Sequence, residues 1–246
     1  MKLFKKNGVL FAVLLIIIYV VGMSVMQDLS GSVGVSYLAE ALFSGAMSVF
    51  LMIFIIRGKM AGYLGLRAPE VTAGKMLFYI PLLITGAVTA FFGMGSEYGA
   101  LSSVLAGVSM VFVGFIEEVI FRGFLFRGIA KESVKRAAII SAVTFGIGHF
   151  VNLLNGKDLL ENSIQVVFAV AAGFMLVFIF LRTGSIIPCV VFHSLNNCIA
   201  AFSTGKLLTD SLGETGGSLI AAGAKILIAV GYTIYVMRLP ERELPE

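Results

Sequence analysis

Charge is what this sequence has least of. Asp, Glu, Lys and Arg make up 13% of its 246 residues, against roughly 25% in a soluble domain. With 59% hydrophobic residues and a mean hydropathy of +1.00, that scarcity excludes a soluble globular domain and implies an all-α, polytopic membrane protein. Cysteine is nearly absent as well. Cys189 and Cys198 are the only two, nine residues apart in one apolar segment, a separation that no disulfide bridges along a helix. A disulfide framework is thereby excluded. Internal repeats, low-complexity tracts and long linkers are missing, so residues 1–246 read as a single integral membrane domain. The net charge of +4 and the pI near 9.1 do not point to nucleic acid, because the Lys and Arg sit in short loops between apolar runs, where topology signals belong.

Eight apolar runs are present, each a candidate membrane helix. They are about Gly8–Met26, Ser36–Ile56, Lys75–Gly93, Gly99–Phe121, Ala137–Leu154, Ser163–Leu181, Ser185–Phe202 and Ser218–Met237. The first follows Lys2, Lys5 and Lys6 and contains Gly22-Met23-Ser24, a weak mimic of a cleavage site; its length and the spans that follow it favour an uncleaved first span. With the N-terminus in the cytoplasm, fifteen of the eighteen Lys and Arg fall on the inner side and only Lys157, Lys206 and Lys225 on the outer. Both termini are therefore expected in the cytoplasm, and the protein in the cell membrane. Pro81 and Pro188 lie inside spans and are expected to kink them, and the 28 glycines to let helices approach closely. The stretch Met60–Glu70, with Tyr63, Leu64 and Leu66 beside Arg67, reads either as an interfacial segment or as an ordinary inner loop.

Three ionisable residues break the fourth run. Residues 112–127 read FVGFIEEVIFRGFLFR, and Glu117, Glu118 and Arg122 at bilayer depth each cost at least ~2.5–3.5 kcal/mol to insert, which marks them as functional-site candidates. Helical spacing pairs only one acid. Glu118 and Arg122 are four apart and share a face, whereas Glu117 points about 140° away. The only two histidines, His149 and His193, also fall inside spans, and imidazole exchanges protons near neutral pH. Phe145 is four before His149 and Asn197 four after His193, so each pair shares a helix face. Bringing Glu117 level with these residues requires the fourth helix to run on to about Gly128 and to bury Arg122 against Glu118, which sets Glu117 ~16 Å from the inner surface at 1.5 Å per residue.

In order, Glu117-Glu118-x-x-x-Arg122, Phe145-x-x-x-His149 and His193-x-x-x-Asn197, on three separate spans, resemble the three signature motifs of the CAAX protease and bacteriocin-processing family of intramembrane endopeptidases. The resemblance covers about Ser102–Phe202 and marks residues 102–202 as the catalytic core; the eight-helix layout and the Gly65-Leu66-Arg67 loop match more loosely. It implies that Glu117 and His149 activate the attacking water and that His193 and Asn197 hold the oxyanion. Glu118, Arg122 and Phe145 would be structural support. A carboxylate in apolar surroundings is a better base near neutral pH than one in water.

Metal dependence stays open on residue identity. Glu117, His149 and His193 also suit a zinc site with water in the fourth position, although neither His-Glu-x-x-His nor its inverse occurs. The metal-free mechanism, with no cofactor, is the preferred expectation and a zinc-dependent metalloprotease the alternative. Cys189, four before His193, offers a thiol route against its plainer reading as a small packing residue. A different class of function is a non-proteolytic transporter, immunity or regulatory factor in which the same acids and histidines form a proton path. The expected substrate is a membrane-associated peptide or protein, prenylated or carrying a leader, reaching the site from the cytosol or laterally from the bilayer.

Overall fold

The computed structural model describes residues 2–77, 79–91, 93–204 and 206–240. These residues are mainly helical, and their only β-type pairing is an isolated bridge between Met94 and Ser203. After a first short helix, Lys2–Lys6, come α1 (Gly8–Val33), α2 (Leu38–Gly58), α3 (Tyr79–Phe91) and α4 (Ala100–Glu118). They are followed by α5 (Val134–Gly148), α6 (Leu159–Thr183), α7 (Ile187–Ala201) and α8 (Lys206–Met237), the last broken at Gly213. Helix α4 does not stop at its acids. It continues through widened π-helical turns, Val119–Phe126, into Arg127–Ala130, so the span is 31 residues long, Ala100–Ala130.

Among the described residues six helices are long and apolar enough to cross a membrane, which makes this a multi-pass membrane protein. The other two of the eight expected spans are the shorter apolar helices α3 and α7, whose 13 and 15 described residues are fewer than the ~20 of a full crossing. Proline is the reason. Lacking an N–H, it fits the first turn of a helix but not its interior, and Pro188 sits in the first turn of α7 and Pro81 near the start of α3. The prolines begin these helices rather than kinking them. α7 tolerates its short length because α4 packs along it, which keeps its ends inside protein.

Contacts sort the helix ends into two faces. On the terminal face Phe4 meets Tyr63 and Phe124, Arg127 and Lys131 lie over Tyr63, and Arg182 donates to Met237 O. The Met60–Glu70 stretch is a loop held there by its middle residues. Leu64 is fully buried, Ile186 N–H donates to Gly65 O at 2.9 Å, and Glu70 N–H donates to Thr183 O at 2.9 Å. On the opposite face Tyr37 packs edge-on against Tyr98, and Gly95 N–H donates to Phe202 O. Thirteen of the fifteen basic residues expected on the inner side belong to the terminal face or the helix ends beside it. Arg122 is buried in the bundle instead, and Arg242 lies outside the described residues.

Two glycines set the spacing of the motif-bearing helices. A Cβ on Gly114 would stand 2.3 Å from Ser194 Oγ and 2.7 Å from Ser194 N, so α4 and α7 touch backbone to backbone there. Gly173 does the same for α6 and α5, its Cβ position lying 3.0 Å from Ala142 Cα. Because neither neighbour is a movable side-chain tip, Gly114→Val is expected to lose at least ~1–3 kcal/mol to overpacking. A thermal-unfolding scan in detergent checks this against Gly223→Ala, where nothing lies within 4 Å and no loss is expected.

Candidate active site

Only one of the two acids of α4 pairs with Arg122, as helical geometry requires. Glu118 Oε1 accepts from Arg122 Nη1 at 2.9 Å, with both side chains at 0% exposure. The same oxygen lies 2.7 Å from His193 Nδ1 of α7. Arg122 also donates through Nη2 to Gly173 O at 3.3 Å, and its guanidinium stacks 4.4 Å above the Phe145 ring. Glu118 therefore does more than neutralise an arginine. A carboxylate only accepts, so this bond assigns the Nδ1 proton to His193 and turns Nε2 towards Glu117, whose Oε2 is 3.5 Å away.

Glu117 has a second partner that sequence reasoning missed. Tyr19 of α1 donates its hydroxyl to Glu117 Oε1 at 2.6 Å across 98 residues of chain. The signal was faint: Tyr19 continues the buried stripe of Ala12 and Leu15, and a tyrosine there reads as packing. Glu40 was missed as well, although the rule that singled out Glu117 applies to any acid inside a span. It is buried in α2 and accepts from Ser30.

His149 caps α5 and opens a 3₁₀ turn, His149–Leu153, rather than sitting within an α-helix as expected. Its Nδ1 lies 3.0 Å from Phe145 O. A carbonyl only accepts, so this nitrogen carries the proton and Nε2 keeps its lone pair. Phe145 is the common neighbour, its ring 5.4 Å from that of His149, 5.5 Å from His193 and 5.3 Å from Phe121. The widened turns of α4 are anchored next to it, where Ser141 of α5 donates to Phe121 O at 2.9 Å.

Glu117, His149, Asn197 and Tyr19 line one cavity of about 720 Å³. Its wall continues through Ser24, Gln27, Asn152, Asn155, Lys157 and Gln165 to the face opposite the termini. Lys157 donates to Gln165 Oε1 at 2.8 Å. Burial lowers its pKa from the ordinary lysine value, and nearby Glu161 acts in the opposite sense. Among the described residues no three His, Cys, Asp or Glu side chains gather into a metal-binding group. Cys189 is fully buried and donates to Leu176 O, away from this cavity.

The Glu118–Arg122 pair generates a prediction. Removing one member of a buried pair strands the other charge at a cost of about 3–5 kcal/mol. Glu118→Gln and Arg122→Ala are therefore each expected to lower the yield of folded protein and its unfolding temperature. Phe145→Leu should leave the ion pair in place and perturb the histidines. NMR of ¹⁵N-labelled imidazoles reads that difference as shifted His149 and His193 resonances in a protein of near-normal stability.

Comparison with known proteins agrees with the motif resemblance. A search of curated proteins finds no match. Residues 99–199 match the family model described as Type II CAAX prenyl endopeptidase Rce1-like, and that stretch contains Glu117, Glu118, Arg122, Phe145, His149, His193 and Asn197. Residues 99–199, which carry Glu117, His149 and Asn197 of this cavity, are thus similar to the Rce1-like type II CAAX prenyl endopeptidases.

Proposed function

We propose that the protein is an intramembrane endopeptidase that hydrolyses peptide bonds of membrane-associated peptides or proteins with a water activated by Glu117 and His149. The observation that carries this reading is the shared cavity: a carboxylate, an imidazole with a free nitrogen and an amide all face one space inside an apolar bundle. Among the described residues the Asn197 side chain makes no hydrogen bond, which leaves its amide available to a substrate.

In the first step a water proton passes to His149 Nε2 or Glu117, and the hydroxide attacks the scissile carbonyl carbon. The carbonyl oxygen takes the negative charge and is held by Asn197 Nδ2–H and by the His193 side of the site. Collapse then breaks the C–N bond, and the proton taken from water goes to the leaving amine. Tyr19 keeps Glu117 oriented towards the cavity, and Glu118 with Arg122 keeps His193 in its tautomer. The alternative of a proton or ion path needs a polar route to the terminal face. There Phe4, Phe11, Phe54 and Phe124 pack ring against ring, with centroids 5.0–6.5 Å apart, and that packing favours an enzyme.

The roles separate under mutation. Purified Glu117→Gln and His149→Ala are expected to retain their fold and lose cleavage of a peptide library, while Asn197→Ala loses kcat by ~10²-fold or more, as expected for a lost oxyanion donor. Wild-type activity in Glu117→Gln would remove the central claim. Metal dependence is tested separately. Prolonged chelation is expected to leave activity unchanged, and zinc that leaves and returns in step with activity would instead establish the metalloprotease alternative.

A further inference from the structure

The cavity has a direction. Its deepest wall is Glu117, Phe121 and Phe145, and from there its lining residues lie towards the opposite face, ending at Gln27, Gly31, Tyr37, Tyr98 and Lys157. Gln27, Gly31 and Tyr98 are exposed at that rim. Below the acids the bundle is closed three times over. The Glu118–Arg122 pair is fully buried, Phe4, Phe11, Phe54 and Phe124 interlock, and Leu64 of the terminal-face loop is inserted beneath Gly123. The basic residues are concentrated on that closed face, whereas Lys157 and Lys206 are the only described Lys or Arg beside the opening or at the helix ends of its face. Positive charge marks the cytoplasmic side, so the closed face is the inner one.

Resting on the endopeptidase reading above, we infer that the active site is entered from the non-cytoplasmic face. Its substrate is a peptide segment presented there, such as an exported peptide or the external stalk of a membrane protein, and not a prenylated cytosolic C-terminus. The wall chemistry fits that class. An extended peptide below the membrane surface must place its N–H and C=O groups against protein, and Ser24, Gln27, Asn152, Asn155 and Gln165 line the route with hydroxyls and amides. A lipid chain would leave those groups unused. Asn155 also draws the wall together, accepting from Ser24 at 2.6 Å and donating to Gln27 at 3.0 Å.

Thiol labelling tests the direction without any substrate. In a Cys198→Ala background that retains the buried Cys189, single variants His149→Cys, Asn197→Cys, Gln27→Cys and Glu132→Cys are exposed to methanethiosulfonate ethylsulfonate, a small charged reagent that does not cross membranes. In spheroplasts His149→Cys, Asn197→Cys and Gln27→Cys are expected to react, and Glu132→Cys is not; in inverted vesicles only Glu132→Cys reacts within the same time. Reaction of His149→Cys from the side that labels Glu132→Cys overturns the inference, as does its protection in spheroplasts that label Gln27→Cys. Labelling of Glu132→Cys in spheroplasts overturns the assignment of faces. Asn197→Cys gives the same reading if His149→Cys does not fold. Since labelling needs no cleavage, an inactive protein with the expected pattern would count against the peptidase reading and leave the direction of access standing.

Discussion

A guanidinium with no solvent exposure, inside a chain built to sit in lipid, must be compensated by protein, and Glu118 is its compensation. Much of the site follows from that demand. The pair fixes the face that α4 turns towards α5, α6 and α7, because Arg122 reaches Gly173 O on one side and lies over Phe145 on another. With Glu118 committed inward and shared with His193, the adjacent Glu117 has to leave the pair and face α1. Adjacent residues on a helix point about 100° apart, so both acids cannot pair with Arg122. The family resemblance separates a supporting acid from a reacting one, and the helix angle between neighbours gives that separation a physical cause.

The same demand shapes the helices around it. α4 has to bury Arg122 well inside, so it is the longest of the motif-bearing spans, and its π-helical turns widen the backbone where Glu118, Arg122 and Ser141 meet. π-helical stretches recur at functional sites. α7, started by Pro188, is too short to cross alone, yet it brings His193 and Asn197 to the level of α4 because Gly114 lets the two backbones touch. Asymmetry across the bundle results. The terminal half is dense with aromatic rings and a tied-down loop, whereas the other half holds a polar-walled cavity.

The helical class, most span positions and the pairing of Glu118 with Arg122 were legible because they depend on local periodicity and on the cost of charge in lipid. That α4 had to continue past Arg122 was legible for the same reason. Other features depend on contacts between distant segments. Tyr19 became part of the site only through a bond to a residue 98 positions away, and the second role of Glu118 needed a histidine 75 positions away. The lengths of the two short helices were not legible, since apolar runs flanking Pro81 and Pro188 extend beyond the helices that those prolines start. The direction of the cavity was illegible in principle: every span carries residues at both ends, and only packing decides which end closes.

The central claim is that water, directed by Glu117 and His149, attacks a carbonyl whose oxygen is held by Asn197 and the His193 side of the site. A structure of the protein with a peptide trifluoromethyl ketone, which hydrates to mimic the tetrahedral intermediate, tests it most directly. One gem-diol oxygen should lie at hydrogen-bond distance from Glu117 and His149, and the other about 2.7–3.1 Å from Asn197 Nδ2. A gem-diol bound to a metal ion, a carbonyl carbon joined to a cysteine sulfur, or an inhibitor seated away from Glu117 would contradict the account.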